Sequence, residues 1–205
     1  MVYKRIIYAL LYSKGFFHLS RNFRLQQVGN VDWLKNNFGF GETCDYIDEL
    51  IIVLVTKNPD EKEISNYFSD VKKLREKIFV PITLGGGIRT FEHAKNCFSN
   101  GADKILINYL AHNNSEIINK ISNVYGEQAI SLMVDYKNID GCNFSFINSA
   151  EKKSMTLKDY FTRIKNLKFG ELIINSIQKD GSAQGLDTTC FDDFPSDLNK
   201  PILLM

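Results

Sequence analysis

Short runs of consecutive apolar residues recur along the chain, separated by longer stretches that mix polar and apolar positions. The apolar residues in each run are continuous and do not alternate with polar ones, which is typical of strands buried on both faces of a parallel sheet. The predicted strands lie at residues 5–11, 49–55, 79–84, 103–108, 129–135, 170–176 and 200–205. The chain is therefore expected to contain a mainly parallel sheet.

The stretches between these strands carry apolar residues at helical spacing. In residues 61–77 the spaced apolar positions are Ile64, Tyr67, Phe68, Val71 and Leu74. Amphipathic helices are predicted at residues 31–40, 61–77, 90–100, 114–125 and 156–167, with a further short helix at 188–194. Strands that alternate with helices indicate βαβ units, and hence an α/β fold.

Residues 12–30 contain neither pattern and are predicted to be a long first βα loop, of the length typical of functional lids or disordered segments. The sequence has no linker rich in proline and serine and no low-complexity tract. We therefore expect residues 1–205 to form a single domain.

Composition narrows the function classes. The chain has 205 residues, 44% of them hydrophobic, and a formal net charge of +1. This charge gives no electrostatic argument for binding nucleic acid or an anionic membrane. The sequence has neither an apolar run near the ~20 residues of a membrane span nor a leader-like start. The four cysteines and three histidines are scattered along the chain, so we predict a cytoplasmic protein with reduced thiols, no metal site and no cofactor.

The segment LGGGIRT, residues 84–90, follows the third predicted strand and precedes a predicted helix. It lacks the spacing of a dinucleotide-binding fingerprint, so it favours a (β/α)8 barrel over a doubly wound sheet. Backbone N–H groups of Gly85, Gly86 and Gly87 could approach an anion closely, and the helix N-terminus adds partial positive charge. A phosphate-binding loop is predicted. The alternative is a tight strand-to-helix turn without a ligand.

Six segments together resemble one family. They are KRIIYALLYSKG (4–15), IDELIIVLV (47–55), PITLGGGIRTFEHA (81–94), GADKILIN (101–108), VDYKNIDG (134–141) and GELIINSIQKDGSAQGLD (170–187). This set resembles the cyclase subunit of imidazole glycerol phosphate synthase, the ammonia-using barrel of histidine biosynthesis. The resemblance implies a (β/α)8 barrel with phosphate sites at the carboxyl ends of its strands. It also implies a glutaminase bound at their amino ends, and ammonia that passes through the barrel.

The resemblance implies catalytic roles for Asp135 and Lys137 at the end of the fifth strand. The family's aspartate on the first strand falls on Leu11, its lysine in the first loop on Leu19 and its aspartate on the second strand on Leu54. Leucine cannot transfer a proton, and general acid–base catalysis contributes about 10²–10⁴-fold. We therefore do not expect an efficient cyclase.

Other positions match the family's binding stretches. Asn108 falls beside the first phosphate loop, where a phosphorylated small molecule would bind. On the sixth strand the family more often has threonine where Asn175 stands. The stretch after it implies a catalytic role for Asp180 and phosphate contacts for Gly181 and Ser182. Asp-Gly is also a strong turn dipeptide, so an ordinary turn remains the alternative for Asp180 and Gly181.

Charged residues stand at the amino ends of four predicted strands. They match the family's ring of charges around the ammonia entrance, and they are Arg5, Glu49, Lys104 and Glu171. Isolated buried charges cost several kcal/mol, so a ring of two cations and two anions that can rearrange would serve as a gate. Asp103 matches a contact to the glutaminase. The alternative is that these charges simply meet solvent.

The family includes paralogues that are encoded beside surface-polysaccharide genes. They resemble this chain in having two leucines at the end of the first strand, here Leu10 and Leu11. They also have Asn-Ser-Ile on the sixth strand, as residues 175–177 do here. They are associated with the amidation of sugars. The first predicted function is therefore a barrel that receives ammonia from a glutaminase and relays it to a sugar-amidating, ligase-like enzyme. That enzyme would convert an acetamido to an acetamidino group. The alternatives are a genuine cyclase of histidine biosynthesis, a lyase, and a non-catalytic scaffold that activates the glutaminase.

The sequence ends at PILLM, residues 201–205, inside the predicted seventh strand. The family continues with a second phosphate loop and an eighth strand, so we expect an incomplete barrel of about seven strands. Unpaired strand edges would then be exposed, and the chain would tend to associate.

Overall fold

The computed structural model describes residues 4–37 and 44–205. The strands are β1 (Ile7–Ser13), β2 (Phe16–Arg21), β3 (Arg24–Gly29), β4 (Glu49–Leu54), β5 (Ile82–Gly85), β6 (Lys104–Ile107), β7 (Ile130–Ile139), β8 (Cys142–Ile147), β9 (Lys152–Thr156), β10 (Glu171–Ser176) and β11 (Ile202–Leu204). The helices are α1 (Val31–Asn37), α2 (Glu61–Arg75), α3 (Phe91–Ser99), α4 (Tyr109–Asn113), α5 (Ser115–Tyr125) and α6 (Leu157–Ile164). Short 3₁₀ turns lie at Cys44–Tyr46, Glu127–Ala129 and Thr189–Asp193.

The chain divides into two compact units. The first unit consists of the described residues of Met1–Leu19, Leu25–Ile88 and Glu92–Leu106. The second unit consists of Ser20–Arg24, Arg89–Phe91 and Ile107–Met205.

In the first unit β1 pairs in parallel with β4, β4 with β5, and β5 with β6. The registers place Ile7 opposite Glu49 and Thr83 opposite Lys104, so the amino ends of these strands share one edge. Outside the strands, α2 begins where the Asp60 side chain accepts a hydrogen bond from the Glu63 N–H. Such a cap satisfies an N–H group that the helix cannot bond internally.

In the second unit β10 lies in parallel between β7 and β11. The β7–β10 register places Asp135 opposite Asn175. β7 continues past this pair into an antiparallel hairpin with β8, turning at Asp140 and Gly141, both of which have positive φ. A β9 strand then pairs with β8.

The seven predicted strands correspond to β1, β4, β5, β6, β7, β10 and β11, and the α/β prediction is confirmed. The predicted helices correspond to α1, α2, α3, α5 and α6, with a 3₁₀ turn at the last site. Residues 38–40 of the first predicted helix lie outside the described part of the chain. Among the described residues no helix is long and apolar enough to cross a membrane.

The prediction of a loop at residues 12–30 is wrong, because β2 and β3 form a hairpin there. β2 pairs antiparallel with β1, Leu11 opposite His18, after a turn whose residues Lys14 and Gly15 have φ of 52° and 84°. Two-residue turns with positive φ match the twist of paired strands. Phe17 is buried while Phe16 is exposed, as alternation along a half-buried strand requires.

Candidate functional site

Asp135 is the most deeply enclosed carboxyl group at the carboxyl ends of strands in the second unit. It is only 6% exposed. Its Oδ1 accepts a hydrogen bond of 3.0 Å from Asn175 Nδ2, and its Oδ2 accepts one of 2.9 Å from Asn108 Nδ2. Asn175 stands opposite Asp135 in the β7–β10 register, and Asn108 directly follows β6. Each carboxyl oxygen therefore has an amide donor.

Burial raises the pKa of Asp135 to about 7. The charge of Asp180 acts in the same direction, whereas the hydrogen bonds from Asn175 and Asn108 lower this pKa. A carboxyl group with a pKa near the working pH is well suited to accept or donate a proton. Lys137, which the family resemblance places with Asp135, is exposed two residues farther along β7.

Asp180 holds the tip of the β2–β3 hairpin. Its Oδ2 accepts hydrogen bonds from Ser20 Oγ at 2.6 Å and from the Phe23 N–H at 2.8 Å, and its carbonyl oxygen accepts one from the Asn22 N–H. Gly181 has φ of +61°, and a Cβ there would lie 2.1 Å from the Ser20 carbonyl oxygen. These contacts favour the interpretation of Asp180 and Gly181 as a structural turn.

The neighbouring Ser182 side chain donates a hydrogen bond to the Lys179 carbonyl oxygen at 2.8 Å. Farther along this loop, Asp187 accepts hydrogen bonds from Ser176 Oγ at 2.8 Å and from Thr189 Oγ1 at 2.7 Å. Burial would raise the pKa of Asp187, but the bonds from Thr189 and Ser176 outweigh it and lower that pKa. Sequence reasoning gave Asp187 no role, because no pattern shows which loop residue meets Ser176.

The glycine loop of the first unit is shaped by close packing. A Cβ on Gly85 would lie 2.7 Å from Leu106 Cβ, and one on Gly86 would lie 2.0 Å from the Leu54 carbonyl oxygen. Gly87 has φ of +65° and open space around it. Packing therefore accounts for the first two glycines, and Gly87 is the position left for a ligand or for the turn itself. The phosphate role of the loop stays a prediction.

Glu49 is the centre of a charged cluster at the amino ends of β1, β4, β5 and β6. It is 2% exposed, and its Oε2 lies 2.6 Å from Lys104 Nζ and 3.4 Å from a guanidinium nitrogen of Arg5. Its Oε1 accepts a hydrogen bond from Thr83 Oγ1 at 2.5 Å. Three of the four residues predicted for the gate therefore meet within the first unit.

Glu171, the fourth predicted gate residue, belongs to the second unit. It is 6% exposed and accepts a hydrogen bond of 2.6 Å from Ser131 Oγ, which stands opposite it in the β7–β10 register. The Ser131 hydroxyl group therefore donates to a carboxyl group that is almost fully buried.

Asp103, the predicted contact to a partner, has a structural role within the first unit. Its Oδ2 accepts a hydrogen bond of 2.9 Å from the Ile82 N–H, and its Oδ1 lies 3.5 Å from Arg75. The side chain keeps 44% exposure. It can therefore fix the start of β5 and still face another molecule.

The three leucines at polar positions of the family differ in their surroundings. Leu54 is buried, Leu11 is half-buried and Leu19 is 53% exposed. None of them can replace a proton-transferring group.

Comparison with known proteins finds one matching family model and several similar relatives. The family model described as "Histidine biosynthesis protein" matches residues 44–204. A similar relative is "Putative imidazole glycerol phosphate synthase subunit hisF2" of Parasynechococcus marenigrum (strain WH8102), 40% identical over 204 residues. That alignment covers 98% of this chain and 75% of the relative.

Two further relatives carry the name "Imidazole glycerol phosphate synthase subunit HisF". The protein of Thermotoga sp. (strain RQ2) is 34% identical, over 69% of this chain and 56% of its own length. The protein of Alkaliphilus metalliredigens (strain QYMF) is 32% identical, over 99% of this chain and 79% of its own. The predicted fold class, an α/β fold that is an incomplete (β/α)8 barrel, is confirmed by the family match and by the seven strands that correspond to predicted barrel strands. The chain therefore belongs to the HisF family of histidine biosynthesis proteins.

Proposed function

We propose that the chain accepts ammonia from a glutaminase subunit and passes it on for amidation of a surface-polysaccharide sugar, from an acetamido to an acetamidino group. The observation that carries this proposal is the contact of Glu49 with Lys104 and Arg5 at the amino ends of the strands. Burying charges is costly, and hydrophobic residues of similar volume would often stabilise such a site more. These charged residues are present despite the free-energy cost of burying them. Their presence supports a gate that rearranges to admit a small polar molecule.

The same edge of the first unit has features of a partner surface. Ile6, Tyr46 and Phe79 shortly precede β1, β4 and β5, and they are 64%, 81% and 94% exposed. Large apolar side chains exposed at one edge of a sheet are typical of protein interfaces, and Asp103 directly precedes β6 at the same edge. The relatives are named as subunits of a synthase. We assign this surface, the amino-end face, to the glutaminase.

At the other end of the strands, the proton chemistry is reduced. Leu11 and Leu54 stand where the family has carboxyl groups, so the amidation itself is assigned to a separate ligase-like enzyme. The loop of Gly85, Gly86 and Gly87 is the proposed site for a phosphorylated small molecule. No cofactor is needed for this role.

A second function, the cyclase reaction of histidine biosynthesis, is favoured by one observation. Asp135 is buried with a pKa of about 7, so it can still take part in proton transfer. The two functions share the ammonia passage and differ in the molecule that receives the nitrogen. A third function, a scaffold that only activates the glutaminase, requires no passage at all.

Replacing Lys104 by methionine separates a conduit from a scaffold. In a complex isolated from the host and given amide-¹⁵N glutamine, with excess unlabelled ammonium, we expect severalfold less ¹⁵N in the amidated product and nearly unchanged glutamine hydrolysis. The physical reason is that Lys104 pairs with the carboxylate at the proposed entrance. The matched control is Lys95→Met, because Lys95 is an exposed lysine of α3.

If Lys104→Met abolishes the stimulation of glutamine hydrolysis and wild-type product shows no preference for ¹⁵N, the scaffold is correct. If the labelled product is a histidine precursor and not a sugar, the cyclase is correct. Equal labelling by wild type and Lys104→Met would contradict a gate at this cluster.

A further inference from the structure

The Asp135 carboxyl group is fixed from both sides by side-chain amides of neighbouring strands. Asn175 approaches one oxygen from β10, and Asn108 approaches the other from the residue that follows β6. The two bonds, of 3.0 and 2.9 Å, leave the carboxyl group little freedom to rotate. Asp135, Asn108 and Asn175 are hereafter called the amide clamp.

We propose that Asn108 and Asn175 are positioning residues that hold the Asp135 carboxyl group in one orientation and keep it available as a proton acceptor. This assigns to Asn108 a role on the carboxyl group in addition to, or in place of, a contact with phosphate. This proposal deepens the proposed function. It rests on that function only for the identity of the molecule that would exchange a proton with Asp135.

The clamp acts against two effects that favour the protonated acid. Burial and the charge of Asp180 both raise the pKa of Asp135, while the two amide N–H groups lower it. A donor stabilises a carboxylate because it places a positive end of a dipole on the negative charge. The result, a pKa of about 7, leaves a substantial ionised fraction at neutral pH.

Two other ionisable groups of the second unit, Tyr160 and His112, are neutral at pH 7. Burial, and after it the charge of Asp135, raises the pKa of Tyr160 on α6. His112 on α4 stacks on Tyr160 with ring centroids 4.6 Å apart, and burial together with Arg163 lowers its pKa to about 4. After burial, the charge of Asp180 is the effect that raises the pKa of Asp135, whereas the hydrogen bonds from Asn175 and Asn108 lower it.

The orientation of the Asn108 amide provides a second argument. Its Nδ2 is committed to Asp135, and its Oδ1 is buried without a hydrogen-bond partner among the described residues. The reverse orientation would place a carbonyl oxygen against the carboxylate, which repels it. Leaving a buried acceptor unpaired is unfavourable, so the contact with Asp135 outweighs it.

The test is the pKa of Asp135, measured from the side-chain ¹³C chemical shift in the full chain between pH 4 and 10. Leucine has the branched shape of asparagine without its donors, so the variants are Asn175→Leu and Asn108→Leu. Each should raise the pKa of Asp135 by about one pH unit, a tenfold loss of ionisation at neutral pH. The matched control is Asn119→Leu on α5, whose Oδ1 is likewise buried without a partner.

An unchanged or lowered pKa of Asp135 in both variants would overturn the proposal. Circular dichroism and thermal melting check the fold of each variant. If Asn175→Leu does not fold, Asn108→Leu alone decides, because Asn108 is only half-buried. The titration needs neither partner nor substrate. Its failure therefore leaves the ammonia proposal standing, and a failed ammonia transfer leaves the clamp standing.

Discussion

Two buried ionisable residues of the second unit affect stability in opposite directions as the pH changes. Asp135 has a pKa of about 7, against a usual value of 3.8. The folded state binds its proton more tightly, so its contribution to stability falls as the pH rises from about 4 to 7. His112 has a pKa of about 4, against a usual value of 6.5. The unfolded state binds that proton more tightly, so stability is lost as the pH falls from 6.5 to 4.

Replacing His112 by phenylalanine should remove the acid sensitivity that this residue causes. Phenylalanine keeps a ring against Tyr160 and cannot titrate. Between pH 7 and pH 4.5 the free energy of unfolding of the wild type should fall by about 2–3 kcal/mol more than that of His112→Phe. Urea denaturation at the two pH values measures this. Parallel changes in both proteins would show that His112 titrates normally in the folded state.

At the residue scale, the sequence predicts which residues carry chemistry better than which residues meet. Asp135 follows from its place at the end of a predicted strand and from the family resemblance. Its hydrogen bonds with Asn108 and Asn175 could not be predicted, because they depend on the register between strands. A shift of one residue would turn Asn175 to the opposite face of the sheet.

At the element scale, the β2–β3 hairpin is the main departure from the sequence prediction. Its strands carry few buried residues, so the alternating pattern is weak, and residues 12–30 look like a loop. The hairpin tip is ordered by contacts that are remote in sequence, above all those of Ser20 and Phe23 with Asp180. A short-range pattern cannot reveal such a contact.

Replacing Asp180 by alanine should loosen the hairpin tip. Hydrogen bonds to a charged group contribute about 1.5–3 kcal/mol, and the Phe23 N–H would lose its acceptor. Hydrogen exchange of the Phe23 amide, followed by NMR, should therefore become at least about tenfold faster. The control is Asp192→Ala, because Asp192 is an exposed aspartate of the same unit. An unchanged exchange rate would mean that Asp180 does not hold the tip, and its catalytic assignment would regain support.

The glycine loop after β5 was predicted to bind phosphate, with a tight strand-to-helix turn as the alternative, and the structure explains two of its glycines by close packing. Gly86 packs against the Leu54 carbonyl oxygen, so any side chain there would collide with the backbone. The sequence shows that three glycines are present. It does not show that two of them are required by packing alone.

At the scale of the whole molecule, the repeated alternation of apolar runs with amphipathic segments was enough to predict the α/β class and the seven parallel strands. Long buried strands such as β4 and β10 give a strong signal, because their residues are almost all buried. β8 and β9 were missed, because exposed and buried residues mix along them. No shift in amino-acid composition along the sequence indicates the boundaries of the two compact units.

The central claim is that the amino-end face binds a glutaminase that supplies ammonia. The measurement that tests it most directly is native mass spectrometry of the tagged chain isolated from its host, with glutamine hydrolysis assayed in the same sample. The comparison is Phe79→Glu, which places a charge on this face. The control is Val124→Glu, at an exposed apolar residue of α5.

We predict a complex of the chain with a second protein that hydrolyses glutamine, lost in Phe79→Glu and kept in Val124→Glu. A ligase-like enzyme in the same complex would support the relay of ammonia to a sugar. A wild-type chain isolated without glutaminase activity, or a complex equally stable in Phe79→Glu, would contradict the account.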